Sequence, residues 1–285
     1  MSAVSSDAWF DCACGQRHWG IHGAAGLIVS RGDEVLLQLR APRSAHGGTW
    51  GWPGGARQAG ESALAAALRE GREEAGLNPD ALRPRWWSIA DHRGWAYTTV
   101  AAEVRTGAAA LTGPTNWETA DLQWVERGKV GEYNLHPGLA VAWPYLERLI
   151  GQRLTLVVDG ANVVGSRPDG WWKDRFGAAI RLRDRLETLA AGGLANVESD
   201  HPNGWYPEVV MVVEGRARGI GQGQSVRVVD APGEGDDEIV AVARAAAQAG
   251  RGPVAVATAD RGLIARLRAL PGDVAIMPPS RLVGK

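Results

Sequence analysis

The most constraining feature of this chain is the stretch 55–77, which starts in a glycine-bearing loop and continues into a helical pattern. Small and apolar residues recur in it at three- and four-residue steps, which predicts a helix with one buried stripe. The residues of this stripe are Ala63, Leu64, Ala67, Leu68 and Gly71. Gly76 is expected to end the helix, since Pro79 follows and blocks its return.

Three glutamates lie on another face of the predicted helix. Glu70, Glu73 and Glu74 are spaced i, i+3 and i+4, and like charges at that spacing cost a helix about 0.2–0.5 kcal/mol per pair. The repulsion disappears when a divalent cation lies among them, and hard oxygen ligands of this kind select Mg²⁺ or Mn²⁺. Taken alone, the three residues also fit a solvated acidic face.

The whole stretch resembles the Nudix box of the MutT-like hydrolases, Gly-x5-Glu-x7-Arg-Glu-U-x-Glu-Glu-x-Gly-U, in which U is apolar. The residues in register are Gly55, Glu61, Arg69, Glu70, Glu73, Glu74, Gly76 and Leu77. One position departs, because Gly71 stands where a bulkier apolar residue is usual. Glycine there costs about 1 kcal/mol of helix stability relative to alanine, and it affects packing rather than the ligand set.

This resemblance implies a Mg²⁺-dependent (or Mn²⁺-dependent) hydrolase acting on phosphoric anhydrides. The substrate would be a nucleoside diphosphate linked to a further group, with a nucleoside triphosphate or related nucleotide as the default. The three glutamates and the main-chain carbonyl of Gly55 would hold the metal. Arg69 would orient the carboxylates, and Glu61 would brace the loop.

Many Nudix enzymes place a further acidic residue in a later loop, as general base or extra metal ligand. Glu118 is the candidate here, with Glu126 or an exposed loop charge as the alternatives. Two tryptophans before the box, Trp50 and Trp52, either line the pocket or belong to the core.

Composition argues for an ordinary globular protein with one or two domains. The formal net charge is −1, so the chain has no overall basic character for nucleic acid, and an RNA site has to be a local patch. The sequence has no run of about 18 apolar residues, so no membrane span is expected. The N-terminus lacks the basic and apolar regions of a signal peptide. With only two cysteines, a reducing cytoplasm is the expected location.

A cluster of potential soft metal ligands opens the chain. Cys12, Cys14, His18 and His22 offer two thiols and two imidazoles, which are zinc ligands. The spacing differs from the usual two-residue cysteine knuckle, and no second knuckle follows. A zinc site and a structured turn with reduced thiols therefore both remain open.

The first half predicts a mixed sheet flanked by helices, the α/β/α sandwich that the Nudix resemblance implies. Strands are predicted at 24–30 and 34–40, joined by a turn at 31–33, and at 85–90, 95–104 and 121–125. A terminal helix is predicted at 136–150. The chain is then expected to divide into a Nudix domain at 1–151 and a second domain at 152–285.

The second half alternates strands and helices, which predicts a mainly parallel α/β sheet. The predicted strands are 154–159, 209–214, 225–230, 254–259 and 274–277, and the predicted helices are 176–191, 237–249 and 262–270. Acids end most of these strands, namely Asp159, Glu214, Asp230 and Asp260, and Asp236 and Asp237 begin a helix. Ligands gather outside the carboxyl ends of parallel strands, although each acid alone also fits a helix cap or a turn.

This set resembles the NYN family of PIN-like nucleases. The matching segments are Val157-Val-Asp159-Gly-Ala-Asn162, Gly233-Glu-Gly-Asp-Asp237-Glu-Ile and Ala257-Thr-Ala-Asp260-Arg-Gly-Leu. Family members cleave RNA with Mg²⁺ or Mn²⁺ held by acids at these places. The resemblance implies metal ligation by Asp159, Asp237 and Asp260, with Asp236 as a near equivalent, and a site role for Asn162.

Basic and aromatic residues follow the first of these segments. Arg167, Lys173 and Arg175 are interleaved with Trp171 and Trp172, a combination that suits single-stranded RNA, because cations contact phosphates and aromatic rings stack on bases. The same loop is also compatible with a cap over the sheet.

Two further functional alternatives stay open at this stage. The first half is either a hydrolase or a nucleotide-sensing module that binds without turnover. The second half is either a metal-dependent ribonuclease or an RNA-binding relative of one. The oligomeric state is open as well.

Overall fold

The computed structural model describes residues 6–108, 113–114, 116–167, 170–197 and 202–283. The chain divides into two units, Met1–Gly151 and Gln152–Lys285. Within the described residues, no helix combines the length and the apolar character that crossing a bilayer requires.

A mixed sheet forms the centre of the first unit. The unit starts with a separate hairpin of β1 (Trp9–Asp11) and β2 (Arg17–Trp19). The strands of the mixed sheet are β3 (Ala24–Arg31), β4 (Glu34–Arg40), β5 (Trp50–Gly51), β6 (Gly54–Ala56), β7 (Leu82–Asp91), β8 (Ala96–Val104) and β9 (Thr119–Glu126). The order β7-β8-β3-β4-β5 is extended by β6 against β3 and β9 against β4. Because β3 runs parallel to β8 and antiparallel to β4 and β6, the prediction of a mixed sheet is confirmed.

Among the described residues of this unit, the α-helices are α1 (Ala63–Ala75) and α2 (Pro137–Leu149), and short 3₁₀ helices lie at Pro79–Ala81 and Arg127–Glu132. The Ser62 side chain caps α1 by accepting a hydrogen bond from the Ala65 amide at 3.1 Å. Gly76 ends the helix as predicted, with a positive φ of 63° that favours glycine.

Close packing explains the unusual glycine in α1. A Cβ on Gly71 would lie 2.8 Å from Leu27 Cδ2 on β3 and 3.1 Å from Leu77 Cδ1. The bulkier residue that is usual here would therefore force the Leu27 and Leu77 side chains to shift. The predicted stripe is only partly correct, because Ala67 and Gly71 are buried while Ala63, Leu64 and Leu68 are half-buried.

The second unit contains a parallel sheet, as predicted. Its elements are β10 (Thr155–Asp159), α3 (Gly160–Gly165), α4 (Arg175–Gly192), β11 (Leu194–Ala195), β12 (Gly204–Trp205), β13 (Glu208–Val213), β14 (Val226–Asp230), α5 (Gly235–Ala249), β15 (Val254–Ala257), α6 (Arg261–Arg268), β16 (Val274–Met277) and α7 (Ser280–Val283). The sheet order is β14-β13-β10-β15-β16, with every neighbouring pair parallel. The short helix α3, which follows β10 directly, was not predicted.

The central strands of this sheet are buried on both faces, as is usual in parallel sheets. Val157, Val212 and Val256 pack with Ile239 of α5 and Leu263 of α6 in one apolar cluster. The sheet is thereby fixed against two helices, and the carboxyl ends of its strands are held at one edge.

Candidate active sites

The first candidate site forms where β6 meets α1. β6 lies antiparallel to β3, with Gly54 opposite Gly26 and Gly55 opposite Ala25. A Cβ on Gly55 would lie 2.7 Å from Glu70 Oε1, and one on Gly54 would lie 2.7 Å from the Ala25 carbonyl oxygen. Gly54 requires glycine because a Cβ there would meet main-chain atoms of β3, whereas a side chain at position 55 would displace the Glu70 carboxyl.

Four acids converge at this point, and we call them the glutamate cluster: Glu70, Glu73 and Glu74 of α1, and Glu118 before β9. Glu70 has a side chain that is 13% exposed, and burial, as the largest cause, raises the pKa of its carboxyl. Glu73 is the most open of the three on α1, with 48% of its side chain exposed. The predicted ligands therefore lie together but differ in their contact with water.

Glu74 departs most from the expectation of an exposed acidic face, since it is only 1% exposed. The Gly54 amide donates to its Oε2 at 2.9 Å, and its carboxyl also shares a hydrogen bond with the Glu118 carboxyl. Burial, as the largest cause, and then Glu118 and Glu70 raise the pKa of Glu74 to about 8, against the effect of the Gly54 hydrogen bond.

A buried polar contact positions Glu118 beside the helix. The Thr119 hydroxyl donates to the Glu74 carbonyl oxygen at 2.9 Å and accepts from Gln38 Nε2 at 2.7 Å. These bonds tie the start of β9 to the last turn of α1. The alternative residue Glu126 lies at the far end of β9 and pairs with Lys129 at 2.7 Å.

Arg69 connects the cluster to the loop that precedes the helix. Its Nε and Nη2 donate to the two Glu61 carboxyl oxygens at 2.9 and 3.0 Å, and Nη2 also donates to the Ala56 carbonyl oxygen at 2.9 Å. Its Nη1 donates to Glu70 Oε1 at 2.6 Å and to Glu73 Oε2 at 3.2 Å. Hydrogen bonding to Glu61 is the main cause that raises the pKa of Arg69, and the same bond lowers the pKa of Glu61.

Aromatic residues next to the cluster were predicted only in part. Trp52 is 8% exposed, and its ring lies with the Tyr97 hydroxyl over Gly26, whose missing side chain makes room for both. Trp52 is therefore a core residue. Trp50 is half-buried and meets Tyr133 edge to face, with ring centroids 5.3 Å apart. Tyr97 was missed because a tyrosine in an apolar strand gives no signal of its own.

The second candidate site is a cavity of about 190 Å³ at the carboxyl ends of the parallel strands. Its acids, which we call the sheet-end cluster, are Asp159, Glu214, Asp236 and Asp260, and Asn162 lines the same cavity. Three of these acids and the asparagine were predicted site residues. Glu214 was recognised as a strand-end acid but not as part of the site.

Asp159 is the most buried member of the sheet-end cluster, at 6% exposed. It accepts from the Asn162 amide at 3.0 Å and from the Thr258 hydroxyl at 2.8 Å. Burial, first, and then Asp236 and Glu214 raise the pKa of its carboxyl against these hydrogen bonds. Burial and the neighbouring Asp260 likewise raise the pKa of Asp236.

Asp237, which the resemblance placed among the metal ligands, lies outside the cavity lining. Its Oδ1 pairs with Arg266 Nη2 at 2.5 Å, and 72% of its side chain is exposed. Successive helical residues point about 100° apart, so only one of the two neighbouring aspartates can face the strand ends. The structure gives that position to Asp236.

The predicted RNA-contact residues lie in and after α3. Arg167 donates to the Val283 main-chain oxygen. Arg175 lies over the Trp171 ring at 5.3 Å from its centroid, and Trp172 is 55% exposed. Lys173 ends a short 3₁₀ turn that starts at Trp171. Arg167 thus has a main-chain partner, while the tryptophan–arginine group is partly open to solvent.

Comparison with known proteins places the first candidate site in a family. The model of the NUDIX domain matches residues 20–149. A putative 8-oxo-dGTP diphosphatase 3 of Mycobacterium tuberculosis is 42% identical over 151 residues, which are 49% of this chain and 68% of that protein. A nucleoside triphosphate pyrophosphatase/Nudix hydrolase fusion protein of Bifidobacterium longum is 40% identical over 145 residues, which are 48% of this chain and 30% of that protein.

One solved structure is also similar to this chain. The crystal structure of a Nudix hydrolase from M. smegmatis, RenU, is 40% identical, covers 50% of this chain and 94% of that chain, and has a TM-score of 0.46. With the family model and the mycobacterial relative in agreement, the chain belongs to the Nudix hydrolase family, whose members act on phosphoric anhydrides.

Proposed function

We propose that residues 1–151 form a Nudix domain that hydrolyses a nucleoside triphosphate or a related nucleotide with the help of Mg²⁺ or Mn²⁺. The observation that carries this proposal is the convergence of four carboxyl groups beside the bare main chain of Gly55, one of them almost fully buried. The names of the mycobacterial relatives make 8-oxo-dGTP the first substrate to test.

The donor set fits a hard divalent cation. Glu74 is held by a neutral amide and a second carboxyl group, so a positive ion at this point would relieve the repulsion between the acids. The oxygens of Glu70, Glu73 and Glu74, together with the Gly55 carbonyl, are the hard ligands that Mg²⁺ and Mn²⁺ prefer. When bound, the ion would neutralise the diphosphate and lower the pKa of the attacking water.

The remaining chemistry falls to the side chains of this chain. A water oxygen bonds to a phosphorus of the anhydride, the bridging P–O bond breaks, and the leaving phosphate group keeps the electron pair. Glu118 lies beside Glu74, where its carboxylate is placed to accept the proton of the water. Arg69 holds Glu70 and Glu73 in place, and its bidentate pair with Glu61 fixes the loop.

A substrate panel tests this function. The purified chain with Mg²⁺ should release a nucleoside monophosphate from 8-oxo-dGTP or from another nucleotide, and Glu73→Gln or Glu74→Gln should abolish the release. Glu34→Gln is the matched control, because Glu34 lies on β4 and pairs with Arg31 at the surface. Tight nucleotide binding without turnover would show that the unit is a sensor, and turnover that survives both glutamine variants would overturn the assignment.

We also propose that residues 152–285 form an NYN/PIN-like domain with metal-dependent ribonuclease activity. The cavity at the strand ends supports this second function, because four carboxyl groups, with no lysine or arginine among the described lining residues, are suited to divalent ions. Asn162 is fixed in the cavity wall, since its Oδ1 accepts from the Ala259 amide at 2.8 Å. Trp171, Trp172 and Arg175 offer stacking and phosphate contacts for single-stranded RNA.

Labelled single-stranded RNA distinguishes a nuclease from a binding domain. Cleavage in the presence of Mg²⁺ or Mn²⁺ that disappears in Asp159→Asn supports the nuclease. Asp184→Asn is the control, because Asp184 lies on α4 outside the cavity lining, with 60% of its side chain exposed. RNA binding without cleavage would identify an RNA-binding domain instead. If the chain neither binds nor cleaves RNA, the RNA assignment is contradicted.

A further inference from the structure

The initial hairpin gathers three soft ligands that neither proposed function uses. Cys12 and Cys14 lie in the turn between β1 and β2, and His18 lies on β2 opposite Phe10. One ligand atom from each of these three residues lies within 4.8 Å of the others. The closest pair is Cys14 Sγ and His18 Nε2, at 3.2 Å.

The main chain of the turn brings the two thiols together. The Cys12 amide donates to the Gln16 carbonyl oxygen at 3.0 Å, and the Gly15 amide donates back to the Cys12 carbonyl oxygen at 2.9 Å. Gly15 has a φ of +84°, which a side chain rarely allows. This tight closure turns Cys14 back toward the strand that carries His18.

Aromatic stacking fixes the orientation of the imidazole. The His18 ring is stacked on Trp95, with centroids 4.2 Å apart and an angle of 10° between the planes. His92 lies next to it, with ring centroids 4.5 Å apart. Trp95 is itself anchored, because its Nε1 donates to the Gly20 carbonyl oxygen at 2.7 Å. These contacts therefore orient the ligand nitrogen before an ion binds, just as residues around other metal sites fix the orientation of their histidine ligands.

From this geometry we propose that the Cys12 and Cys14 sulfurs and His18 Nε2 bind a zinc ion. Zinc bonds of 2.0–2.3 Å in a tetrahedral site place ligand atoms about 3.5–3.8 Å apart, so these side chains need to move by only about 1 Å. Thiolate and imidazole together select Zn²⁺ over the hard cations of the glutamate cluster. His22 does not belong to the group of ligands.

Binding follows a simple proton balance. Both thiols lose their protons, two metal–sulfur bonds form, and neutral His18 adds a metal–nitrogen bond. Cys12 must give up the hydrogen bond that its thiol donates to the His92 carbonyl oxygen at 2.8 Å. Three chain ligands leave a tetrahedral ion one further position, which is open to water.

The expected role of the ion is structural. A two-stranded hairpin with three residues in each strand is marginal by itself, and this one is held on one side by a small cluster of Cys12, Ala24 and Trp95. Zinc would close the turn on the other side and fix the chain just before β3. This inference is independent of the glutamate cluster and of the nucleotide that it binds.

Cobalt substitution tests the site directly in the full-length, reduced protein. One equivalent of Co²⁺ should give an intense thiolate-to-cobalt band in the near ultraviolet, which Zn²⁺ then removes by competition. The glutamate cluster contributes no such band, because its ligands are oxygens. Failure of this test is therefore distinguishable from failure of the hydrolase assignment.

Two variants make the test specific. Cys14→Ser should abolish the band with little risk to folding, because Cys14 is exposed, whereas His22→Ala should leave it unchanged. Zn²⁺ should also protect both thiols of the unmodified chain from alkylation. A chain that gives no thiolate band, or a band that survives Cys14→Ser or depends on His22, would overturn the proposal.

Discussion

Both acidic clusters of this chain bring several carboxyl groups close together, but the two differ in which groups offset the repulsion between them. In the glutamate cluster, three acids come from one helix, and Arg69 contacts two of them, Glu70 and Glu73. In the sheet-end cluster, the acids come from separate strand ends and from α5, and the described residues that line the cavity include no arginine or lysine. The first cluster is thus partly neutralised before any ion binds. In the second, Asp159 accepts from the neutral Thr258 hydroxyl, and the positive charge of Arg266, outside the lining, acts against the rise in the pKa of Asp236.

The difference suggests that the two sites tolerate the loss of an ion to different degrees. Arg69 ties four groups, the Glu61, Glu70 and Glu73 carboxyls and the Ala56 carbonyl, into one network. Networks of this kind hold a site in shape. The sheet-end cluster is held mainly by the parallel sheet instead, because Asp159 ends β10, Glu214 directly follows β13 and Asp260 lies three residues after β15, while Asp236 is held by α5.

Beyond the Glu73 and Glu74 variants of the substrate panel, the largest effect is expected from Glu70→Gln. The substitution keeps the shape of the side chain but removes a charge beside Gly55 and Arg69, and it should lower kcat on the order of 10²–10³-fold. Initial rates on the best nucleotide of the panel measure this effect, with Glu34→Gln as the control. A loss that Glu34→Gln reproduces would show that general surface charge, rather than the cluster, carries the activity.

The next effect distinguishes two neighbouring aspartates of the second site. Asp236→Asn should lower RNA cleavage by about 10²-fold, because Asp236 lines the cavity. Asp237→Asn should change it little, since its carboxyl pairs with Arg266 at the surface. Cleavage rates of both variants on the same labelled RNA give the answer. The opposite ranking would mean that the start of α5 is turned differently when RNA is bound.

A moderate effect is expected when Arg69, the positively charged side chain of the first site, is replaced by lysine. Arg69→Lys cannot reproduce the bidentate bond to Glu61 and the contacts to Glu70 and Ala56 together. Activity should fall by about 10–100-fold, as for other residues that position metal ligands. Measuring kcat and KM separately over a Mg²⁺ series tests whether the loss lies in the ligand arrangement. An unchanged Mg²⁺ dependence would argue against a positioning role.

The smallest effect concerns packing rather than charge. Gly71→Ala gains about 1 kcal/mol of helix propensity but forces a Cβ to within 2.8 Å of Leu27, and overpacking of this kind costs about 1–3 kcal/mol. We expect a net destabilisation of about 1 kcal/mol in thermal unfolding. Gly192→Ala, at the end of α4 with open space around it, should instead be neutral or stabilising. A stabilised Gly71→Ala would mean that α1 can move away from β3.

Much of the first site could be predicted from the sequence, because its ligands lie within one helical segment. Spacing predicted the helix, its end at Gly76 and the grouping of Glu70, Glu73 and Glu74. The burial of Glu74 could also have been predicted from the sequence, because Glu74 follows Ala67 by seven residues and Gly71 by three and so lies on the same helical stripe. The reason why glycine occupies position 71 could not be predicted from the sequence, because it depends on a contact with Leu27 on β3.

The second site was less predictable, because its members come from distant parts of the chain. Acids at strand ends could be recognised one by one, but only the strand order brings Asp159, Glu214 and Asp260 to one edge. The choice between Asp236 and Asp237 depends on the rotation of α5, which no motif fixes. Likewise, His22 and His18 were equivalent in the sequence until the hairpin placed one of them beside the cysteines.

Position 55 has a consequence for engineering this enzyme. The first side-chain atom that any other amino acid would add lies 2.7 Å from a Glu70 oxygen, so it would displace the carboxyl group that we assign to the metal. Saturation mutagenesis of codon 55 should therefore return glycine alone among active clones, and libraries aimed at new substrates should leave this codon fixed and diversify the surrounding loops instead.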